Sequence, residues 1–117
     1  MIRLKMRSTI PWGNVFGDIY LCQFPFTSGA ASKMRPALVL FDLSFDCIIC
    51  RVTSVVASGP LDVTLNDWQR AGLLKPSVAR LDRLVTAQRT VLLRKLGVLG
   101  IGDLAMIRNV WNRNMRL

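Results

Sequence analysis

Apolar residues fall in short runs separated by clusters of turn-forming residues, the pattern of brief β-strands. The first run covers residues 19–24 and follows Gly17-Asp18. Residues 27–33 are mostly small and polar and suit a loop. Arg35-Pro36 leads into an apolar run over 37–41, and a proline, lacking an N–H, is tolerated at the first position of a strand. Residues 47–53 are again apolar and β-branched. Ser58-Gly59-Pro60 turns the chain into a short strand at 61–65, and 66–72 reads as a loop or single turn closed by Gly72. Two further strands are expected at 77–86 and 91–96. The pattern then changes period. Leu104, Ile107, Val110 and Trp111 recur on one helical face, which predicts a terminal helix over 101–113. Asp103 in its first turn and Arg108 and Arg113 later suit the helix dipole, while Gly102 weakens the start. Frequent turns between short strands favour a compact barrel or sandwich. No internal repeat or linker divides the chain, so one domain is expected over 17–117, preceded by an N-terminal extension, 1–16.

Composition narrows this picture. With 51% hydrophobic and 20% charged residues among 117, a disordered chain is excluded. A chain of this length buries about two-thirds of its extended surface, enough for one core without disulfides or structural metal. No apolar stretch approaches the roughly 18 residues that span a bilayer, so no membrane role is expected. There are three cysteines, an odd number, and no secretory signal pattern, which suits a reducing cytoplasm. Cys47 and Cys50 have CxxC spacing, but on a strand their side chains point to opposite faces, so neither metal binding nor redox pairing is expected.

Charge and one missing residue type define the chemistry. Sixteen Lys and Arg against seven Asp and Glu give a net charge of +9, and there is no histidine. Every mechanism built on an imidazole is removed, as are most catalytic zinc sites. The basic excess points to a polyanionic partner, nucleic acid first and an acidic protein equally compatible. The charges are dispersed, at Arg3, Lys5 and Arg7, at Lys33 and Arg35, at Arg80 and Arg83, at Arg94 and Lys95, and at Arg108, Arg113 and Arg116. That suggests a folded groove more than a basic tail. Strand alternation puts Arg80 and Asp82 on one face and Arg51 and Thr53 on another shared face. Arg35 stands where a loop meets a strand. A cleft between these elements would collect Arg35, Thr53, Arg80 and Asp82. From spacing alone, a plain ion pair on an exposed strand face is the commoner explanation of Arg80 and Asp82, and Thr53 alone is an ordinary strand former.

The residues between these positions carry a resemblance. Gly17-Asp18-Ile19, then Phe24-Pro25-Phe26-Thr27, then Lys33-Met34-Arg35-Pro36-Ala37-Leu38-Val39-Leu40 is similar to the opening of the PemK/MazF-like toxins. Val52-Thr53-Ser54 resembles the segment carrying that family's functional threonine, and Val78-Ala79-Arg80-Leu81-Asp82 its Arg-x-Asp strand. Gly97-Val98-Leu99-Gly100 with Asp103-Leu104 resembles its turn into the final helix. The resemblance implies a mainly β fold, an SH3-like, CcdB-type barrel with a C-terminal helix, paired as a homodimer. It implies the toxin of a type II toxin–antitoxin system, with a cognate acidic antitoxin as partner. The implied activity is metal-independent endoribonuclease cleavage of single-stranded RNA at short motifs, without a cofactor. The 2′-hydroxyl attacks the adjacent phosphate, leaving a 2′,3′-cyclic phosphate and a 5′-hydroxyl.

In this chain the implied catalytic set is Arg35, Thr53, Arg80 and Asp82, with Lys33, Arg51, Ser54 and Arg83 as RNA contacts. The substrate supplies the nucleophile, so the protein needs a base, donors around the phosphorane and a group facing the leaving oxygen. Without histidine, Asp82 is the base candidate. The arginines are better suited to stabilise charge than to give up a proton. The first loop, 28–33, lacks the Glu or His of many members, which leaves its role in catalysis or base recognition open. Two other readings remain: a CcdB-like, non-enzymatic gyrase poison, which would need no such polar cluster, and a passive RNA-binding barrel. Trp12 and Trp68 suit either base stacking or packing, and Trp111 suits core or dimer packing.

Overall fold

The alternating apolar runs become strands that bury one set of side chains against a terminal helix and the other set against the curled end of their own sheet. The computed structural model describes residues 15–24 and 33–117. The strands are β1 (Asp18–Phe24), β2 (Lys33–Leu43), β3 (Asp46–Thr53), β4 (Asp62–Leu65), β5 (Ser77–Gln88) and β6 (Leu92–Val98), followed by helix α1 (Ile101–Asn114). A 3₁₀ turn, Arg89–Val91, which the apolar pattern does not announce, joins β5 to β6. The strands form one antiparallel sheet in the order β4-β5-β3-β2-β1-β6. Trp12 and the loop residues 28–32 lie outside the described residues, as does the side chain of Lys33.

Register shifts roll this sheet. β2 and β3 slip between Val39 and Phe41, and β1 slips twice against β6. The largest slip lies in β5, whose partner on β3 changes from Cys50 at Leu84 to Arg51 at Arg80. Leu81, Asp82 and Arg83 therefore sit in a bulge, which bends the strand and re-aims its side chains. The edge strands β4 and β6 do not pair, but the turn after β4 lies against β6. A Cβ on Gly97 would meet the Ala71 carbonyl oxygen at 2.5 Å. Gly72, at φ +83°, faces the Leu96 carbonyl in the same way. This backbone-on-backbone approach makes the open sheet barrel-like.

One face of the sheet packs Ile19, Leu38, Val52, Val63, Leu65 and Leu81 beneath Ile107 and Val110 of α1. The other face packs Cys22, Phe24, Ala37, Val39, Cys47 and Ile49, with Tyr20, Val85 and Leu92 at its margin. Cys47 and Cys50 thus belong to different cores, as their spacing on a strand requires. All three thiols are free and buried. Burial pushes Cys22 up to about 12 and raises Cys47 and Cys50 too, which keeps them unreactive.

Two of the three aspartates in the family-like motifs, Asp18 and Asp103, are structural ties. Asp103 is buried, and its Oδ1 and Oδ2 accept the N–H groups of Asn66 at 3.0 Å and Asp67 at 2.9 Å. It therefore anchors the turn after β4 to α1, a role beyond the helix dipole. Asp18, also buried, accepts the Val15 N–H at 3.0 Å and lies 3.4 Å from Lys95 Nζ. Trp68 packs against the main core, and Trp111 meets Phe41 edge to face at 5.8 Å. Phe16 also joins the main core and lies 5.2 Å beneath the Arg108 guanidinium. Among the described residues, no helix is long and apolar enough to cross a membrane.

Candidate active site

The ladder that builds the sheet also assembles a row of arginines. Arg51 on β3 stands opposite Ala37 on β2 and opposite Arg80 on β5, and Arg80 stands opposite Asp62 on β4. Arg35 lies two residues before Ala37, hence on the same face. The bulge in β5 turns Asp82 and Arg83 towards this row. The outcome is a cleft of about 320 Å³ lined by Phe24, Arg35, Arg51, Asp82, Arg83, Leu84 and Val85. A larger cavity of about 630 Å³, lined by residues that include Tyr20, Phe45, Asp46 and Arg89, holds none of the sequence candidates. The smaller cleft has the chemistry, because cations and a carboxylate converge there.

Among the described residues, four guanidiniums stand in or beside this cleft, and their neighbours differ. Arg80 is held: its Nε lies 3.2 Å from Asp62 Oδ1 and 3.9 Å from Asp82 Oδ1. The Asp62 side chain is only 5% exposed, and its Oδ2 also accepts the Gly59 N–H at 2.8 Å. The sequence pairing of Arg80 with Asp82 is thus the longer contact, and Asp62 is the main partner. Arg35 Nε and Arg51 Nε are buried without a hydrogen-bond partner among the described residues. Burial first, then the charges of Arg35, Arg83 and Arg80, lowers the Arg51 guanidinium from its ordinary value. Like charges held together with unused donors favour an incoming anion.

The other expected residues lie nearby without lining the cleft. Thr53 is two residues beyond Arg51 on the same face, half-buried, and its Oγ1 accepts the Val55 N–H at 3.1 Å. Ser54 is exposed just after β3, and Lys33 begins β2 opposite Phe24. Asp82 is open, its side chain 44% exposed. Asp62 was missed by sequence reasoning. Alternation over 61–65 puts it on the polar face of β4, but only the long-range register with β5 reveals its partner. Among the described residues, no group of three His, Cys, Asp or Glu side chains converges as a metal site would need.

A rolled antiparallel sheet with a terminal helix, bearing an arginine-rich cleft with one carboxylate, defines a small barrel suited to a polyanion. Residues 16–112 match the family of PemK-like, MazF-like toxins of type II toxin–antitoxin systems, and the chain belongs to that family. No curated protein matches the chain in sequence. Solved structures are similar in fold. A mycobacterial endoribonuclease in complex with its cognate antitoxin superposes with a TM-score of 0.71 at 16% identity, over 88% of this chain and 95% of that one. MazF from Deinococcus radiodurans gives 0.67 at 24% identity, over 87% and 96%. The MazE–MazF complex from the same organism gives 0.64 at 23%, over 89% and 95%.

Proposed function

We propose that this toxin is an endoribonuclease that cuts single-stranded RNA at short motifs through the RNA's own 2′-hydroxyl. The observation that carries this reading is the convergence of Arg35, Arg51, Asp82 and Arg83 in one cleft, with Arg80 adjoining. Asp82, the cleft's carboxylate, takes the 2′-hydroxyl proton. The guanidiniums of Arg35 and Arg80 hold the phosphate oxygens as charge builds on them, where bidentate contacts are strongest. Thr53 accepts a backbone N–H, so its hydroxyl hydrogen remains free to donate to a phosphate oxygen. Lys33, Ser54 and Arg83 bind flanking phosphates. No step calls for a metal or cofactor.

The partners follow from the same charge. Two of the similar structures are complexes with an antitoxin, one of them described as cognate. For this chain the partner is an acidic antitoxin whose segment occupies the arginine row in place of RNA, trading ordering entropy for charge pairing. The working form is a homodimer acting in the cytoplasm. Incubating the purified protein with a mixed single-stranded RNA pool tests the activity. Discrete cuts that stop on adding the antitoxin are expected. Intact RNA together with loss of gyrase supercoiling would favour the CcdB-like reading instead.

A further inference from the structure

Arg80 has a carboxylate partner where Arg35 and Arg51 have none among the described residues, and Arg51 differs from Arg35 in its place in the row. Arg80 is committed on one edge to Asp62, at 3.2 Å. Arg51 occupies the middle of the row, opposite Arg80 on one side and the small Ala37 on the other, with Arg35 just beyond. Arg51 lines the cleft together with Arg35, Asp82 and Arg83. Its Nε is buried with no partner, and the structure gives it no ion pair among the described residues. We propose that Arg51 is a catalytic residue, its guanidinium holding the charge that builds on the reacting phosphate. This deepens the endoribonuclease reading and rests on it.

The argument is one of differential binding. A cation surrounded by like charges and partly stripped of water is costly in the free protein. The lowered proton affinity of Arg51, caused by burial and then by Arg35, Arg83 and Arg80, expresses that cost. An anion in the cleft relieves it. A doubly charged phosphorane relieves it more than a singly charged phosphodiester, so the gain falls on the transition state. In the step itself the 2′-hydroxyl proton passes to Asp82 and the O2′–P bond forms. The P–O5′ bond breaks with its electron pair left on O5′, which takes a proton from solvent. Arg51 stays protonated throughout. An arginine that merely attracts RNA would act differently: its loss would weaken binding and lower the salt slope by about one, with turnover intact.

The test pairs Arg51→Ala with Arg51→Lys. Single-turnover cleavage is measured at saturating RNA, and affinity is measured with the same RNA carrying a 2′-methoxy group at the cut nucleotide, which cannot react. The expected result for Arg51→Ala is a saturating rate at least about a hundredfold lower, with affinity changed by less than about tenfold. Arg51→Lys should keep most of the affinity yet remain well below the wild-type rate, because a point charge does not replace the planar fork. If the alanine variant does not fold, the lysine variant alone decides. Weakened affinity with a wild-type saturating rate overturns the proposal, as does no change in either. Wild-type protein that leaves RNA intact overturns the endoribonuclease reading itself, and this role for Arg51 with it.

Discussion

Asp62 on β4 reaches across to β5 and fixes Arg80, Oδ1 to Nε at 3.2 Å, with its side chain only 5% exposed. The same carboxylate closes the preceding turn by accepting the Gly59 N–H at 2.8 Å. One buried group therefore both ends the turn into β4 and orients a guanidinium beside the cleft. Asp62→Asn keeps the size but loses the charge. It should lower stability by about 1–3 kcal/mol, the scale for a weakened hydrogen bond to a charged group. RNA cleavage should fall by about tenfold, through a less ordered Arg80. A thermal midpoint and a cleavage rate on the same preparation check both.

Arg35→Ala should reduce cleavage by at least about a hundredfold, the scale for losing one charge-assisted donor in the transition state. Arg35 has no ion pair among the described residues whose loss would destabilise the fold, and its Nε is unpartnered. The thermal midpoint should therefore stay close to wild type. Near-normal turnover would place the reaction elsewhere on the surface.

Asp82→Asn separates a base from a mere ion-pair partner. Asp82 is 44% exposed and 3.9 Å from Arg80 Nε, so its contribution to stability is at most about 1 kcal/mol. Removing a negative charge from the cleft should leave RNA affinity equal or higher. Turnover should nonetheless collapse, because the proton acceptor is gone. Unchanged cleavage would retire Asp82 as the base.

The barrel-like closure makes a prediction about two glycines. Gly72 combines φ +83° with a backbone approach to Leu96, so Gly72→Ala should destabilise the fold by more than about 1 kcal/mol. Gly102 lies in the first turn of α1, and nothing stands within 4 Å of where its Cβ would be. Gly102→Ala should stabilise by about 0.5–1 kcal/mol. Urea unfolding of the two variants side by side checks the contrast.

Much of this architecture was legible because period and turn chemistry are local. The apolar, β-branched run over 47–53 predicts β3, and the two-residue period of a strand predicts that Cys47 and Cys50 face opposite sides, which the structure fills with two separate cores. The face made by Ile107, Val110 and Trp111 predicts α1. Spacing also brings Arg80 and Asp82 near each other, 3.9 Å apart, although the bulge rather than simple alternation turns Asp82 to the cleft together with Arg83. What was not legible is register. The slip that moves β5 from Leu84 to Arg80 against β3 depends on long-range pairing, and it alone puts Arg51 opposite Arg80. The Asp62 partnership and the central place of Arg51 both follow from that pairing, so no local motif announces them.

The chemistry of the cut ends tests the central claim most directly. Purified protein would be incubated with a single-stranded RNA in excess EDTA, and both new termini identified. Attack by the 2′-hydroxyl under the arginines predicts a 2′,3′-cyclic phosphate on one fragment and a 5′-hydroxyl on the other, at an undiminished rate. A 5′-phosphate with a 3′-hydroxyl, or cleavage that vanishes in EDTA and returns with a divalent ion, would contradict the account.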